Sequence, residues 1–310
     1  MIEKIPDKSK YQSAFVKILA DFIALTAVCL PDDVERALRA VAGAETRGQA
    51  KELYATILKN VKLADELKRP MCQDTGVLQF FIEVGSAFPH MAILREVLTE
   101  ATALATLKTP LRPNVVEPLS EHNTGTNVGT GAPYISWEIV EGSDCRIRTY
   151  MAGGGCSLPG RSKVLMPLEG VQGIKDFVYE TVLDRGINAC PPLIVGIGLG
   201  TCAVTGAELS KKALLRPLNQ PAADEKIHSL EEEIREGLDR MGIAPLGFGG
   251  SRSVLGVHIE AAAHHPATLG VGVSTGCWAT RRGEIVFHED ITYEVLSHAD
   301  YTGRLMEVSA

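Results

Sequence analysis

Apolar side chains recur every three or four positions along the first part of the chain, and this spacing predicts amphipathic helices. The first helix carries its apolar side chains between Phe15 and Leu25. A second helix begins at Pro31-Asp32-Asp33, where a proline and two acids suit the first turn, and it ends at Gly43. A third helix is predicted from about 46 to 68. We therefore expect the segment 1–68 to be mainly helical.

Beyond this segment, short apolar runs typical of strands alternate with longer runs that have helical spacing. The predicted strands cover 77–84, 134–139, 145–150, 193–198, 254–262 and 268–274. The predicted helices cover 91–105, 171–187, 201–215 and 223–241. We expect the last two strands to pair, because only a short loop separates them. The predicted fold class is α+β, an N-terminal helical segment followed by mixed α/β layers, in a single domain 1–310 without a clear linker.

The composition indicates a chain with a substantial core. Of its 310 residues, 45% are hydrophobic and 22% are charged, and the formal net charge is −7. An acidic balance without a long basic segment argues against nucleic acids and anionic membranes as partners. A small anionic substrate stays compatible with it, because a few arginines can reverse the field inside a cleft.

The N-terminal residues are charged at once and lack the apolar core of a signal peptide. The most apolar early run, 15–30, contains Lys17 and Asp21. We predict that this run is too short and too charged to span a bilayer. A soluble, cytoplasmic protein is therefore expected.

The seven cysteines are an odd number in a chain without a secretory signal, so a disulfide framework is not expected. Cys72, Cys190 and Cys277 each lie at a predicted junction between regular elements, where ligands usually sit. They are either buried structural thiols or metal ligands. As ligands they would suit a cubane-type iron–sulfur cluster with one open iron, or a catalytic zinc. Of the other four, Cys29 is predicted in a helix, Cys145 in a strand and Cys202 at a helix start, whereas Cys156 follows a triple glycine.

An aspartate and a pair of histidines could transfer protons. Asp74 follows Cys72 in a loop that ends at Thr75-Gly76, so the loop presents a carboxylate beside a thiol. The adjacent pair His264-His265 is either a turn with one solvated and one packed ring, or a proton shuttle near neutral pH.

Two further features suggest ligand binding. Arg112 stands between two prolines, where its guanidinium either grips a carboxylate or faces solvent. The run Gly196-Ile197-Gly198-Leu199-Gly200 follows a predicted strand and precedes a helix, which favours a dinucleotide site. The third glycine of that fingerprint is misplaced, however, and no acid follows at the expected distance.

Motifs spread over nearly the whole chain resemble the class I iron–sulfur fumarases and the related L(+)-tartrate dehydratases. They are Pro70-Met71-Cys72-Gln73-Asp74-Thr75-Gly76, Tyr150-Met151-Ala152-Gly153-Gly154-Gly155-Cys156 with Leu158-Pro159-Gly160-Arg161-Ser162-Lys163, Asn188-Ala189-Cys190-Pro191-Pro192, and His265-Pro266 with Val273-Ser274-Thr275-Gly276-Cys277-Trp278-Ala279. The resemblance implies loops that converge on an iron–sulfur site.

The resemblance also implies roles for individual residues. An oxygen-sensitive 4Fe–4S cluster would be held by Cys72, Cys190 and Cys277, with one iron not ligated by cysteine. The other implied site residues are the acid–base pair Asp74 and His265, and the substrate-binding residues Gln73, Arg112, Gly154 and Gly155.

Two departures from the fumarase pattern shape the expected function. Cys156-Ser157-Leu158 stands where fumarases of this class tend to have Ser-Glu-Asn, which favours dehydration of L(+)-tartrate to oxaloacetate over fumarate hydration. Single-chain members carry a further C-terminal domain with a catalytic threonine and basic residues, whereas this chain ends at Ala310. The resemblance therefore implies a beta subunit that supplies the catalytic base, in an alpha2beta2 heterotetramer. The alternatives are a two-subunit fumarate hydratase and a non-catalytic iron–sulfur protein.

Overall fold

The computed structural model describes residues 8–299, and these form an α+β fold as predicted. The helices are α1 (Lys8–Val28), α2 (Asp32–Ala44), α3 (Gly48–Leu67), α4 (Leu94–Lys108), α5 (Gly154–Ser157), α6 (Gly170–Arg185), α7 (Ala203–Ala213) and α8 (Glu225–Asp239). The strands are β1 (Val77–Gly85), β2 (Tyr134–Val140), β3 (Cys145–Ala152), β4 (Arg161–Leu165), β5 (Leu193–Gly200), β6 (Val254–Ala261), β7 (Leu269–Gly276), β8 (Arg281–Phe287) and β9 (Tyr293–Val295).

The three N-terminal helices predicted from the helical periodicity are confirmed, and their ends agree to within a few residues. Pro31 directly precedes α2, and Asp32 and Asp33 form its first turn, as predicted. Cys29 lies just beyond the end of α1 and not inside the helix. Sequence periodicity missed β4, β8 and β9, because these strands are short or interrupted by charged and glycine residues.

The described residues divide into two compact units. The first unit covers 8–32, 61–152 and 281–299, and the second covers 33–60 and 153–280. The chain thus passes between the units several times, so neither unit is one continuous segment. The single domain 1–310 stays a prediction.

The first unit contains a five-stranded sheet in the order β2-β1-β3-β8-β9. Strand β1 pairs in parallel with β2 and antiparallel with β3, so it lies between two strands that follow each other in sequence. Helices α1 and α4 pack together over this sheet, and Phe15, Leu19 and Phe22 of α1 have no exposed surface. This packing makes the apolar face of α1 the centre of the first unit's core.

The apolar N-terminal stretch is long enough for a membrane span, so the prediction that it was too short was wrong. By length and composition alone, the segment Gln12–Ala44 could cross a membrane, but 72% of its most apolar window is buried inside the protein. That burial is typical of the core helix of a globular unit. The hydrophobicity of α1 is therefore accounted for by the sheet and helix that it covers.

The second unit contains a four-stranded sheet in the order β4-β7-β5-β6. The expected pairing of β6 with β7 was wrong, because β5 lies between them, parallel to β6 and antiparallel to β7. All but one of the eight residues of β5 are buried, so this strand has neighbours on both edges. A short loop in sequence did not decide which strands pair.

The glycines of β5 serve helix–sheet packing. A Cβ atom on Gly196 or Gly198 would overlap carbonyl oxygens of α7, and one on Gly206 of α7 would lie 2.9 Å from the backbone nitrogen of Gly272 in β7. Glycine thus lets α7 approach the sheet more closely than any other residue would allow. This packing accounts for the glycine-rich run without a dinucleotide.

Replacing Gly198 by alanine should destabilise the protein by about 3 kcal/mol or more, because the added methyl group would overlap the Gly206 carbonyl oxygen. Urea unfolding followed by circular dichroism measures this loss. Gly43→Ala is the matched control, since a Cβ there has no neighbour within 4 Å. Equal unfolding midpoints for the two variants would contradict the packing role.

Candidate active site

The loop between α3 and β1 holds Cys72 and Asp74 in a fixed turn. The Asp74 Oδ1 atom accepts hydrogen bonds from the backbone N–H of Gly76 at 3.1 Å and from the side-chain amide of Asn114 at 3.0 Å. Gly76 has a φ of 85°, and a Cβ there would lie 2.7 Å from the backbone of Ala152. Both Cys72 and Asp74 are half-buried. The turn therefore depends on a glycine and orients the carboxylate.

The loop that carries Arg112 is bonded to this turn. The Thr75 hydroxyl accepts from the Arg112 backbone N–H at 3.0 Å and donates to the Arg112 carbonyl oxygen at 3.3 Å. The side chains of Gln73 and Arg112 are exposed. The first unit thus places four of the predicted site residues, Cys72, Gln73, Asp74 and Arg112, on two adjoining loops.

Asn127, which the sequence analysis did not identify, supports the loops of the candidate site. It is 1% exposed, and its side-chain oxygen accepts from the backbone N–H groups of Asn114 at 2.7 Å and Val115 at 3.3 Å. Its amide donates to the Thr106 hydroxyl at 3.1 Å and to the Arg112 carbonyl at 3.0 Å. Its φ is 60°, a conformation that asparagine tolerates well. Asn127 therefore fixes the backbone beside both Asp74 and Arg112.

Asn127→Ala should lower the free energy of unfolding by about 2–4 kcal/mol, since it leaves buried amide and carbonyl groups without their partners. Urea unfolding measures this. Asn123→Ala is the control in the same segment, because Asn123 is exposed: its side chain donates to the Pro113 carbonyl at 2.8 Å and accepts from the Gly125 N–H at 2.8 Å, and water can replace both bonds. A loss at Asn127 no larger than that at Asn123 would show that the buried network is unimportant.

Cys190 and Cys277 lie at one end of the second unit's sheet. Cys190 precedes β5 and is exposed, with φ and ψ of 53° and 73°, and Cys277 follows β7 with 7% exposure. The start of β5 faces the end of β7 because the two strands are antiparallel. Accordingly, the Trp278 N–H donates to the Cys190 carbonyl at 3.4 Å. The prediction that cysteines 72, 190 and 277 lie at element junctions is confirmed for all three.

The triple glycine lies at this same end and begins α5. A Cβ on Gly155 would overlap the carbonyl oxygen of Asn188, two residues before Cys190. The Thr275 hydroxyl donates to the Cys156 carbonyl at 2.8 Å. The close approach at Gly155 is therefore to the protein's own backbone, whereas Gly154 is exposed.

Lys211 of α7 is a second residue that sequence reasoning missed. Burial lowers the pKa of its ammonium group, and the neighbouring Cys156 thiol, when ionised, works in the opposite direction. The Ser210 hydroxyl beside it lies 2.8 Å from the Ser274 hydroxyl, close to the end of β7. A lysine on a helix gives no sign in the sequence that it is half-buried.

His265 lies at the opposite end of this sheet. The loop 262–268 joins the end of β6 to the start of β7, beside Leu199 and Gly200 at the end of β5. The length of β5 separates it from Cys190, roughly 20 Å at the usual rise of a strand. The second unit therefore does not bring His265 together with Cys190 and Cys277. The pairing of Asp74 with His265 stays a prediction.

The other cysteines differ from the predicted ligands. Cys145 is fully buried in β3, and burial raises the pKa of its thiol to about 12. Cys202 is exposed beside α7, at the far end of β5 from Cys190, and hydrogen bonds with Thr205 lower its pKa. None of the seven cysteines, which all lie in the described residues, forms a disulfide.

Among residues 8–299, no three His, Cys, Asp or Glu side chains are grouped as ligands of one metal ion. Thiols on junction loops are the donors that iron–sulfur clusters use. Cys190 and Cys277, which share one end of the sheet, fit two positions of such a donor set.

Comparisons with known proteins assign most of the chain to a family. Residues 16–286 match the family described as Fumarate hydratase (Fumerase). The chain is 49% identical over 293 residues to the L(+)-tartrate dehydratase subunit alpha of Escherichia coli O157:H7, covering 94% of this chain and 97% of that protein. It is 48% identical, with the same coverage, to the proteins of that name from Escherichia coli K12 and Shigella boydii serotype 4.

Proposed function

The chain belongs to the fumarate hydratase (Fumerase) family, and we propose that it is the alpha subunit of a two-subunit L(+)-tartrate dehydratase. The reaction would remove water from L(+)-tartrate and give oxaloacetate after tautomerisation of the enol. The observation that carries this proposal is the 49% identity over 94% of the chain to a subunit of that name. The grouping of Gln73, Asp74 and Arg112 in the first unit supports a site for a small hydroxy diacid.

Each residue of this group has a distinct task in the proposed reaction. Arg112 would bind a substrate carboxylate through its planar guanidinium, and Gln73 would donate to a second oxygen. Asp74 would hold the proton that the leaving hydroxyl takes up, so that water departs. Its Oδ1 atom is held by Asn114 and Gly76, which keeps the carboxyl group in one orientation. The backbone of Gly154, which is exposed, and that of Gly155, which is half-buried, would approach the substrate.

Cys72, Cys190 and Cys277 would hold a 4Fe–4S cluster. When bound, such a cluster supplies an iron without a protein ligand, a Lewis acid that makes a hydroxyl a better leaving group. The base that takes the proton from the neighbouring carbon would come from a beta subunit, as would further basic residues. We also propose a cytoplasmic location, because an oxygen-sensitive cluster suits a reducing compartment.

His265 would enter this site from another copy of the chain. It lies at the opposite end of its own sheet from Cys190 and Cys277, so it cannot lie beside both of them in one unit. An alpha2beta2 assembly contains a second alpha chain that could supply it. Asp74 of one copy and His265 of the other would then lie together beside the leaving hydroxyl.

A two-subunit fumarate hydratase is the second candidate, because the matching family carries that description. The test is an anaerobic assay of the reconstituted chain with and without a co-expressed beta subunit, on L-tartrate, D-tartrate, malate and fumarate. We expect turnover of L-tartrate only when both subunits are present. Preferred turnover of malate or fumarate would favour the second candidate, and no lyase activity on any substrate would refute both.

A further inference from the structure

The adjacent histidines lie in a turn whose hydrogen bonds fix both rings. The Thr268 N–H donates to the His265 carbonyl at 3.0 Å and closes a four-residue turn with Pro266 at its second position. Within this turn the Ala267 N–H points at the His265 ring, 3.1 Å from Nδ1. The His264 ring lies at the base of the same turn.

The contact at His265 defines its tautomer. A backbone N–H can only donate, so Nδ1 of His265 must present its lone pair to Ala267. A neutral imidazole carries one ring proton, and that proton is then on Nε2. The outward nitrogen of His265 is therefore a hydrogen-bond donor.

The contacts at His264 define the other tautomer. Its Nδ1 atom lies 2.9 Å from the His265 carbonyl oxygen and 2.8 Å from the Thr268 carbonyl oxygen. Carbonyl oxygens can only accept, so this nitrogen must carry a hydrogen. The two neighbouring rings thus hold opposite tautomers, and His264 ties together the two carbonyls that begin and end the turn.

We propose that His264 is a positioning residue that fixes His265 as the Nε2–H tautomer, so that His265 donates a hydrogen bond to a substrate hydroxyl or carboxylate oxygen. The catalytic part of this inference rests on the proposed function, whereas the tautomers do not. In this state Nε2 of His265 cannot accept a proton. His265 is then not the base that removes the carbon-bound proton, and that step belongs to a different group.

The tautomers are measurable without any enzymatic activity. Long-range proton–nitrogen correlation spectra of the full chain labelled with 15N-histidine distinguish protonated from unprotonated ring nitrogens. We expect Nδ1 of His265 to be unprotonated and Nδ1 of His264 to be protonated, with the signals assigned from His265→Gln and His264→Asn. A protonated Nδ1 on His265 as its main form would overturn the inference.

Two variants of His264 separate positioning from general support of the loop. The side-chain nitrogen of asparagine occupies the place of Nδ1, so His264→Asn keeps the donor to both carbonyls. The glutamine side chain is one bond longer, so its nitrogen would not lie at the position of Nδ1. We expect His264→Gln to let His265 exchange between tautomers and to lower kcat roughly tenfold with little change in KM, as when residues that orient an active-site group are lost. His264→Asn should recover most of this loss.

The outcomes distinguish this inference from the proposed function. Equal spectra and equal kcat for His264→Asn and His264→Gln would refute the positioning role, even in an active enzyme. Absence of lyase activity in the unaltered protein with its beta subunit would refute the proposed function, while the wild-type spectrum would still decide the tautomers. Circular dichroism checks that both variants fold, as expected for side chains that are exposed.

Discussion

Replacing Cys190 by serine is expected to give a folded chain that no longer retains an iron–sulfur cluster. A serine hydroxyl is not ionised near neutral pH and is a poor ligand for iron that thiolates bind. Cys190 is exposed at the start of β5, so the exchange of sulfur for oxygen should leave the sheet intact. Loss of the Lewis acid should lower activity with the beta subunit by roughly a thousandfold or more. Cys72→Ser and Cys277→Ser should behave in the same way.

The measurement is the iron and sulfide content per chain after anaerobic reconstitution, together with the visible absorption of the cluster. Cys202→Ser is the matched control, because Cys202 is also exposed but lies at the opposite end of β5. Cys29→Ser is a second control outside the predicted ligand set. A cluster that survives intact in Cys190→Ser would refute this ligand set, as would its loss in Cys202→Ser.

Asp74→Asn should lower kcat by about 100- to 10,000-fold, the usual range for loss of a group that transfers a proton. Asparagine is nearly the same shape as aspartate, and its carbonyl oxygen can still accept from Gly76 and Asn114. The loop should therefore keep its geometry, and KM for L-tartrate should change little. The effect would then report proton transfer and not a displaced carboxyl group.

Steady-state kinetics of the alpha chain with its beta subunit, combined with the iron content of the variant, test this expectation. Asp176→Asn, at an exposed position of α6, is the control for the general effect of removing a negative charge. If Asp74→Asn keeps its cluster and turns over at the wild-type rate, Asp74 is not the proton donor. If the cluster is lost as well, the variant reports on cluster binding.

The family was recognisable from short motifs that are fixed by local chemistry. The cysteine–proline and cysteine–glycine junctions are visible in the sequence, because proline and glycine interrupt regular structure wherever they stand. The three N-terminal helices were predictable for a similar reason, since 3.6-residue periodicity needs no knowledge of the helix's neighbour. The family match covers residues 16–286, which agrees with the spread of these motifs over nearly the whole chain.

Other features depended on contacts between segments far apart in sequence. Asn127 reaches Thr106 and Arg112 across a loop of irregular backbone, and no spacing rule places its side chain there. The glycines of β5 were open to a nucleotide-binding interpretation until the close approach of α7 was seen. In both cases the residue type is visible in the sequence, but the atom that it meets is not.

The sequence by itself determined the α+β class, the positions of most helices and strands, the junctions that carry the three cysteines, and the family. Only the tertiary structure decided that β5 separates β6 from β7, and hence that His265 and the Cys190–Cys277 pair lie at opposite ends of one sheet. The physical reason is that helix and strand formation follow from local backbone geometry and side-chain periodicity. The choice of neighbouring strand follows from burial and hydrogen bonding over the whole unit, which local spacing does not encode.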